Sequence, residues 1–391
     1  PTVQHGHAAI MESGRIRQNF IGNFLFCQDS DHFTISGTLL FVPSVFRNLI
    51  HQSPEDCIRI FQISFFQILF QETDLGLLCL IKGGDWFVEG AVSLAHRLNL
   101  PEILIGATVV SIGTTLPEVM VSATSAATGH GELAYGNAIG SIICNTALIA
   151  ALTMAIRPAE IDRKSLKLPS AAFFIAAAVY CVISYVTRTF TRISGILLLA
   201  IFAAYMIISV RQSLGSRKEQ AVRKAEESAG LSAQELPVWK MVLFLVLGAA
   251  LIAVGARLLV DNGTLIAQGF GVPESVIALT FVALGTSLPE LVTAITSLVK
   301  GHGALSVGNI IGANLFNLVL VCGISITIQP FELPASKTIL GLNSSLVVDL
   351  PLMVLVMLIM ILPALMKGKL YRWQGIVLLL LYAGFCAYQM I

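Results

Sequence analysis

This sequence predicts an all-α integral membrane protein with ten transmembrane helices in two inverted five-helix repeats. Three observations carry that expectation. The 391 residues are 55% hydrophobic and only 12% charged, where a soluble domain carries about 25% charged residues. The chain repeats itself: Gly113-Thr114-Thr115-Leu116-Pro117-Glu118 returns as Gly285-Thr286-Ser287-Leu288-Pro289-Glu290. Each copy also counts five apolar spans, and an odd number makes the second copy enter the bilayer from the opposite side.

The duplication is too regular to come from composition. One offset of 172 residues holds without a gap from Gly83/Gly255 to Leu148/Leu320, and 16 of the 33 positions from Gly113 to Asn145 are identical. Chance would give about two. Pro101-Glu102 matches Pro273-Glu274, Gly129-His130-Gly131 matches Gly301-His302-Gly303, Gly136-Asn137 matches Gly308-Asn309, and Asn145 matches Asn317. Many transporters are built from such internal repeats. The net charge of +1 is uninformative about partners, and nothing in the sequence suggests nucleic-acid binding; the seven cysteines are scattered without a CxxC pair, as small buried hydrophobes would be.

In chain order, residues 1–74 match the rest poorly. Arg15, Arg17 and Arg47 lie among short apolar pieces. No charged segment leads into a clean apolar core, so no signal peptide is predicted, and the segment is expected to be foreign to the repeated core. A first helix falls within 58–96. From Pro101 the spans approach the roughly 20 apolar residues that cross a bilayer. Spans 101–127, 133–155, 168–187 and 192–211 complete a first repeat, 75–212. The polar stretch 213–240 is a linker. Spans 241–269, 273–299, 305–328, 346–366 and 372–390 make the second repeat, 241–391. With the linker cytoplasmic, His96, Arg97, Arg157, Arg163, Lys164, Lys167, Lys300, Lys367, Lys369 and Arg372 all fall inside, and only Arg188, Arg192 and Lys337 outside. That asymmetry obeys the positive-inside rule and puts the N-terminus outside.

The chemistry sits in the repeated motif. An ionisable side chain at the bilayer centre costs roughly 2.5–3.5 kcal/mol on insertion scales and by default marks function. Glu118 and Glu290 are such groups, and a pseudo-two-fold axis between inverted repeats would bring them together. Two facing carboxylates repel unless a cation or a proton sits between them, and together they balance one divalent ion. Thr114, Thr115, Thr286 and Ser287 precede the glutamates by three or four residues and share their helix face. Their hydroxyls either serve an ion or bond back to the preceding turn. Asn145 and Asn317 offer amide oxygens, which suit hard cations. Ser141 adds a hydroxyl, but its twin is Ala313, so the site is not symmetric. Asn137, Asn309 and Asn314 are expected to brace closely packed backbone. Glu89 and Asp261 are expected to anchor helices, and Asp85 stands where the second copy has Arg257. His130 and His302 are expected in solvated loops. Asp349 has no repeat partner.

Residues 75–391 resemble the cation/calcium exchanger superfamily, specifically its prokaryotic sodium/calcium antiporter-like branch. The resemblance rests on the paired Gly-Thr-Thr/Ser-Leu-Pro-Glu motifs, the paired Gly-Asn-x-Ile-Gly-x-x-x-x-Asn motifs, and Lys82-Gly83-Gly84-Asp85-Trp86. It implies two inverted halves, alternating access, and exchange of calcium for sodium across a bacterial inner (cell) membrane. It also implies a central metal site of Glu118, Glu290, Thr114, Thr115, Ser141, Asn145, Thr286, Ser287 and Asn317. In well-understood sodium/calcium members an aspartate stands at the position of Asn317 and a serine at that of Ala313. The central acidic count here is therefore two rather than three, and a cation/proton antiporter of the same fold is the nearest rival. A cation channel is a further rival. An intramembrane enzyme would need a nucleophile with its base or a His-rich metal site, and the helices offer neither. No cofactor is expected, since the calcium, sodium or protons are cargo.

Overall fold

The computed structural model describes residues 54–98, 100–226, 236–269, 283–334, 338–339 and 341–390. The expectations for residues 1–53, for 227–235 of the linker and for 273–282 of the seventh span lie outside the described residues. Phe66–Ile391 forms one compact unit. It is almost entirely helical: α1 (Pro54–Leu98), α2 (Glu102–Ala127), α3 (Gly131–Ile156), α4 (Arg163–Thr187), α5 (Arg192–Glu226), α6 (Val238–Gly269), α7 (Ala283–Thr286), α8 (Leu288–Val299), α9 (Gly303–Ile328), α10 (Ser345–Lys367) and α11 (Arg372–Met390). Among the described residues, α2, α3, α4, α9, α10, Arg192–Gln212 of α5 and Val238–Leu259 of α6 are long and apolar enough to cross a membrane. The chain is an integral membrane protein.

Two boundaries differ from the sequence reading. α4 begins at Arg163 rather than 168, because Asp162 caps it, accepting from the backbone N–H of Lys164 at 3.2 Å and of Ser165 at 3.1 Å. α5 runs past 211 to Glu226. Residues 213–226 are mostly Lys, Arg, Glu, Gln, Ala and Ser, largely good helix formers, so polarity marks where the membrane ends and not where the helix does.

Membrane helices associate by close packing, which small residues permit. α1 and α6 show it. A Cβ on Gly83 would lie 2.9 Å from the Gly248 carbonyl oxygen, and one on Gly255 would lie 2.6 Å from that of Gly76. Gly76 thus meets Gly255 and Gly83 meets Gly248, so the two helices run antiparallel. α9 occupies the centre: 83% of its most apolar window is buried, against 22% for α6. The hairpins α2–α3 and α8–α9 close with the same turn. Gly129 and Gly301 adopt φ of 86° and 85°, and His130 and His302 donate their N–H groups to the Ser125 and Ser297 carbonyls at 2.8 and 2.7 Å. That pattern satisfies the last carbonyls of α2 and α8. Outside the helices, β1 (Thr189–Phe190) pairs antiparallel with β2 (Phe331–Glu332), and β3 (Thr338–Ile339) with β4 (Leu342–Asn343). At the other ends of the helices Glu160 bridges to Lys369, whose Nζ lies 2.7 Å from the carboxylate.

Candidate cation site

The two copies of the motif fold differently. In the first, α2 stays helical through Thr114–Glu118 with Pro117 inside it, so the Gly113 carbonyl loses its usual donor. In the second, the helix breaks at Ser287 (φ −91°, ψ 4°) and Pro289 opens α8, where a missing N–H costs nothing. α3 and α9 each pass through a π-helical turn, Asn145–Ala150 and Asn317–Val321. The turns sit at matched positions and each begins with the asparagine. Such wide turns are frequent at functional sites. α2 holds a third, Gly106–Val110, and the Tyr205 hydroxyl donates to its Ala107 carbonyl at 2.9 Å. Tyr205 was not singled out from the sequence; its signal there is a lone Tyr inside the apolar run of α5.

α2, α3, α8 and α9 pack around one another, with α7 against α3. Their polar residues interlock reciprocally. Thr114 of the first copy donates to Asn309 Oδ1 of the second at 3.1 Å, and Thr286 of the second donates to Asn137 Oδ1 of the first at 3.3 Å. Asn137 also donates to the Glu118 carbonyl at 3.3 Å and to Ser122 Oγ at 2.8 Å. Ser111 donates to the Asn309 carbonyl at 2.9 Å. Asn137 braces backbone, as expected, whereas the Asn309 side chain accepts from the Thr114 and Ser111 hydroxyls, and Asn314 donates to Thr146 Oγ1 at 2.7 Å.

α2, which carries Glu118, packs against α8, which carries Glu290. Neither oxygen of either carboxylate has a partner at ordinary hydrogen-bond geometry. The π-turn that begins at Asn317 packs against α2 and α3. Ser141 is buried one turn before Asn145 on α3, and Thr286 is half-buried. Thr115, Glu118, Asn145, Ser287, Glu290 and Asn317 are each no more than 1% exposed, and every one carries a side-chain oxygen without a hydrogen-bond partner. More than nine in ten buried polar groups are satisfied in folded proteins, so six such groups, four of them on the motif, are an exception that needs a chemical reason. No basic side chain pairs with either glutamate among the described residues. No cluster of three His, Cys, Asp or Glu side chains occurs there either. The donor set is oxygen alone, from carboxylate, amide and hydroxyl, which fits a hard cation and not a transition metal.

Three other expectations meet different outcomes. Asp85 does anchor α1, its carboxylate 3.1 Å from Lys300 Nζ in the α8–α9 turn. Among the described residues Asp261 pairs with Arg257 on its own helix at 3.6 Å, and Glu89 is exposed. His130 is exposed, but His302 is not merely solvated: its Nδ1 lies 2.8 Å from Glu102 Oε1. A hydrogen-bond partner 200 residues away in sequence is invisible without the fold.

A helical membrane protein with a duplicated, oxygen-lined polar core has the build of a cation transporter. The sequence model of the sodium/calcium exchanger protein family matches residues 74–211 and 240–391. The chain is 29% identical to the sodium/calcium exchanger MaX1 of Methanosarcina acetivorans over 80% of this chain and 95% of that one. It is 37% identical to the inner membrane protein YrbG of Escherichia coli over 66% of this chain and 79% of that one. The solved structure of the sodium-calcium exchanger NCX_Mj, soaked with 10 mM Na+ and 10 mM Sr2+, superposes with a TM-score of 0.67 at 30% identity, covering 82% of this chain and 98% of that one. The chain belongs to the sodium/calcium exchanger family.

Proposed function

We propose that this antiporter exchanges calcium for sodium by alternating access, with calcium held between Glu118 and Glu290 near the bilayer midplane. One observation carries the proposal: six buried, unpartnered oxygen-bearing side chains, the two carboxylates among them, come from helices of the two copies that pack together. Thr114, Ser141 and Thr286 complete the shell. The carboxylates supply two negative charges, and amides and hydroxyls supply neutral oxygens toward the six to eight that calcium takes. Moving the empty charged pair through lipid is costly, which makes exchange obligatory.

Ten spanning helices in two inverted repeats, 75–212 and 241–391, joined by the 213–240 linker, are part of the same reading. The antiparallel run of α1 against α6, the first helices of the two copies, supports it. So does the reciprocal Thr114–Asn309 and Thr286–Asn137 bonding, which is the pattern a two-fold axis imposes. The loop charges put the linker in the cytoplasm and the N-terminus outside. The name of YrbG supports an inner membrane.

Asn317 favours a second reading. Where the resemblance expects an acid, an amide leaves two carboxylates, and a proton on that pair could replace sodium as the coupling ion. Calcium uptake into proteoliposomes decides. Uptake driven by an outward sodium gradient at fixed pH supports sodium coupling; uptake that follows only a pH gradient overturns it in favour of protons. Single-channel currents without a counter-ion would overturn both.

A further inference from the structure

Many hydroxyls on the membrane helices are tied to their own backbone. Thr108 donates to the Leu104 carbonyl at 2.7 Å, Thr146 to Ile142 at 2.9 Å, Ser184 to Tyr180 at 2.8 Å, Ser325 to Val321 at 2.8 Å and Thr327 to Gly323 at 2.7 Å. That back-bond is the ordinary way for Ser and Thr to be satisfied in lipid. Thr293 and Ser297 do not make it. Both are 0% exposed and both hydroxyls lack a partner. Ser306, at 1% exposure, is like them, as is Ser170 on α4, a helix with no residue of the central site.

Thr293 and Ser297 follow Glu290 by three and seven residues. One face of α8 therefore carries the carboxylate and then both hydroxyls. The face ends where the Ser297 carbonyl accepts the His302 N–H. There a cavity of about 270 Å³ opens, lined by Glu102, Arg157, Glu160, Leu298, Gly301 and Ala304 among others. At roughly 30 Å³ per water it holds several. The Glu102–His302 pair stands at its rim.

We infer that Thr293 and Ser297 line the route by which a hard cation passes between Glu290 and this cavity. The inference rests on the proposed central site and extends it. A cation that leaves water needs successive oxygens, and the two polar side chains between carboxylate and cavity on this face carry unpaired hydroxyls. The first copy does not repeat the route: Val121, 42% exposed, stands at the position of Thr293.

The test is modification by a membrane-impermeant cationic thiol reagent, ethyltrimethylammonium methanethiosulfonate, on proteoliposomes of the full chain. Ser297→Cys should lose most of its calcium flux when the reagent reaches the face bearing the α3–α4 and α8–α9 loops, and keep it when the reagent is on the other face. The parent, with its native cysteines, and Ile295→Cys, on the 46%-exposed side of α8, should be unaffected. Full flux in modified Ser297→Cys from both faces overturns the route; if Glu118→Gln is inactive in the same preparation, the central site survives that failure. Should Ser297→Cys not assemble, Thr293→Val decides. Slowed flux with unchanged equilibrium calcium binding supports the route, and flux at the parent rate overturns it.

Discussion

The α2–α3 and α8–α9 hairpins share one sequence pattern and one closing turn, but they are packed in two ways. Leu133 is 62% exposed, while its twin Leu305 is 0% exposed. Among the described residues nothing comes within 4 Å of a Cβ placed on Gly136, whereas one on Gly308 would strike the Ile103 carbonyl. Gly140 and Gly312 differ in the same way, with Gly312 pressed on Ser111 and Ala107. The motif is continuous helix in α2 and broken between α7 and α8. The polar residues of the motif are thus duplicated, and the packing around them, among the described residues, is not. Alternating access, as proposed, calls for that combination: matched oxygens at the centre, and unlike closure at the two ends.

The largest effect should fall where the hairpins agree. Glu118→Gln and Glu290→Gln should each abolish calcium flux in proteoliposomes, because each removes one of two charges facing a divalent ion. Residual flux in one variant alone would mean that the matched acids are not one site. Asn317→Asp comes next. A third carboxylate at the start of the α9 π-turn should strengthen the dependence of calcium uptake on the sodium gradient at fixed pH. Unchanged ion selectivity would leave Asn317 as a structural amide.

The glycines separate the hairpins more finely. Gly308→Ala pushes a methyl into backbone, and overpacking of a tight contact costs about 1–3 kcal/mol, to be read as a lower unfolding temperature in detergent. Gly136→Ala meets none of the described residues within 4 Å, so its stability should stay within about 0.5 kcal/mol of the parent. Its flux should nonetheless fall if Gly136 must take up the close packing of Gly308 in the opposite access state. Equal stability loss in the two variants would remove the contrast between the ends.

How much of this was legible beforehand depended on the kind of signal. Hydrophobic run length revealed the spans, since a bilayer demands about 20 apolar residues. The offset of 172 revealed which polar residues belong together, because buried acids are too costly to repeat without use. Glu118, Glu290, Asn145 and Asn317 come out buried and unpartnered on these grounds. Thr293 and Ser297 did not stand out: an isolated hydroxyl in an apolar helix usually bonds its own backbone, and only the geometry shows that these do not. The break at Ser287 was equally hidden, as Pro117 and Pro289 are the same residue in the same motif and only their surroundings differ.

The smallest predicted effect isolates a single hydrogen bond. Asn137 Nδ2 donates to Ser122 Oγ at 2.8 Å. Its twin Asn309 Nδ2 is buried with no partner, and the residue at the position of Ser122 is Ala294, itself 0% exposed. The missing hydroxyl accounts for the orphaned amide. Ala294→Ser should supply the acceptor and raise stability by about 1 kcal/mol, the net worth of one such bond. Ser122→Ala should lose a similar amount, leaving Asn137 Nδ2, among the described residues, with its 3.3 Å contact to the Glu118 carbonyl. Opposite signs of similar size in thermal unfolding would show that the two asparagines occupy equivalent places and differ by one oxygen atom. Destabilisation by Ala294→Ser would mean instead that the tighter α8–α9 hairpin has no room for that atom, and that its closure, rather than its sequence, sets the local chemistry.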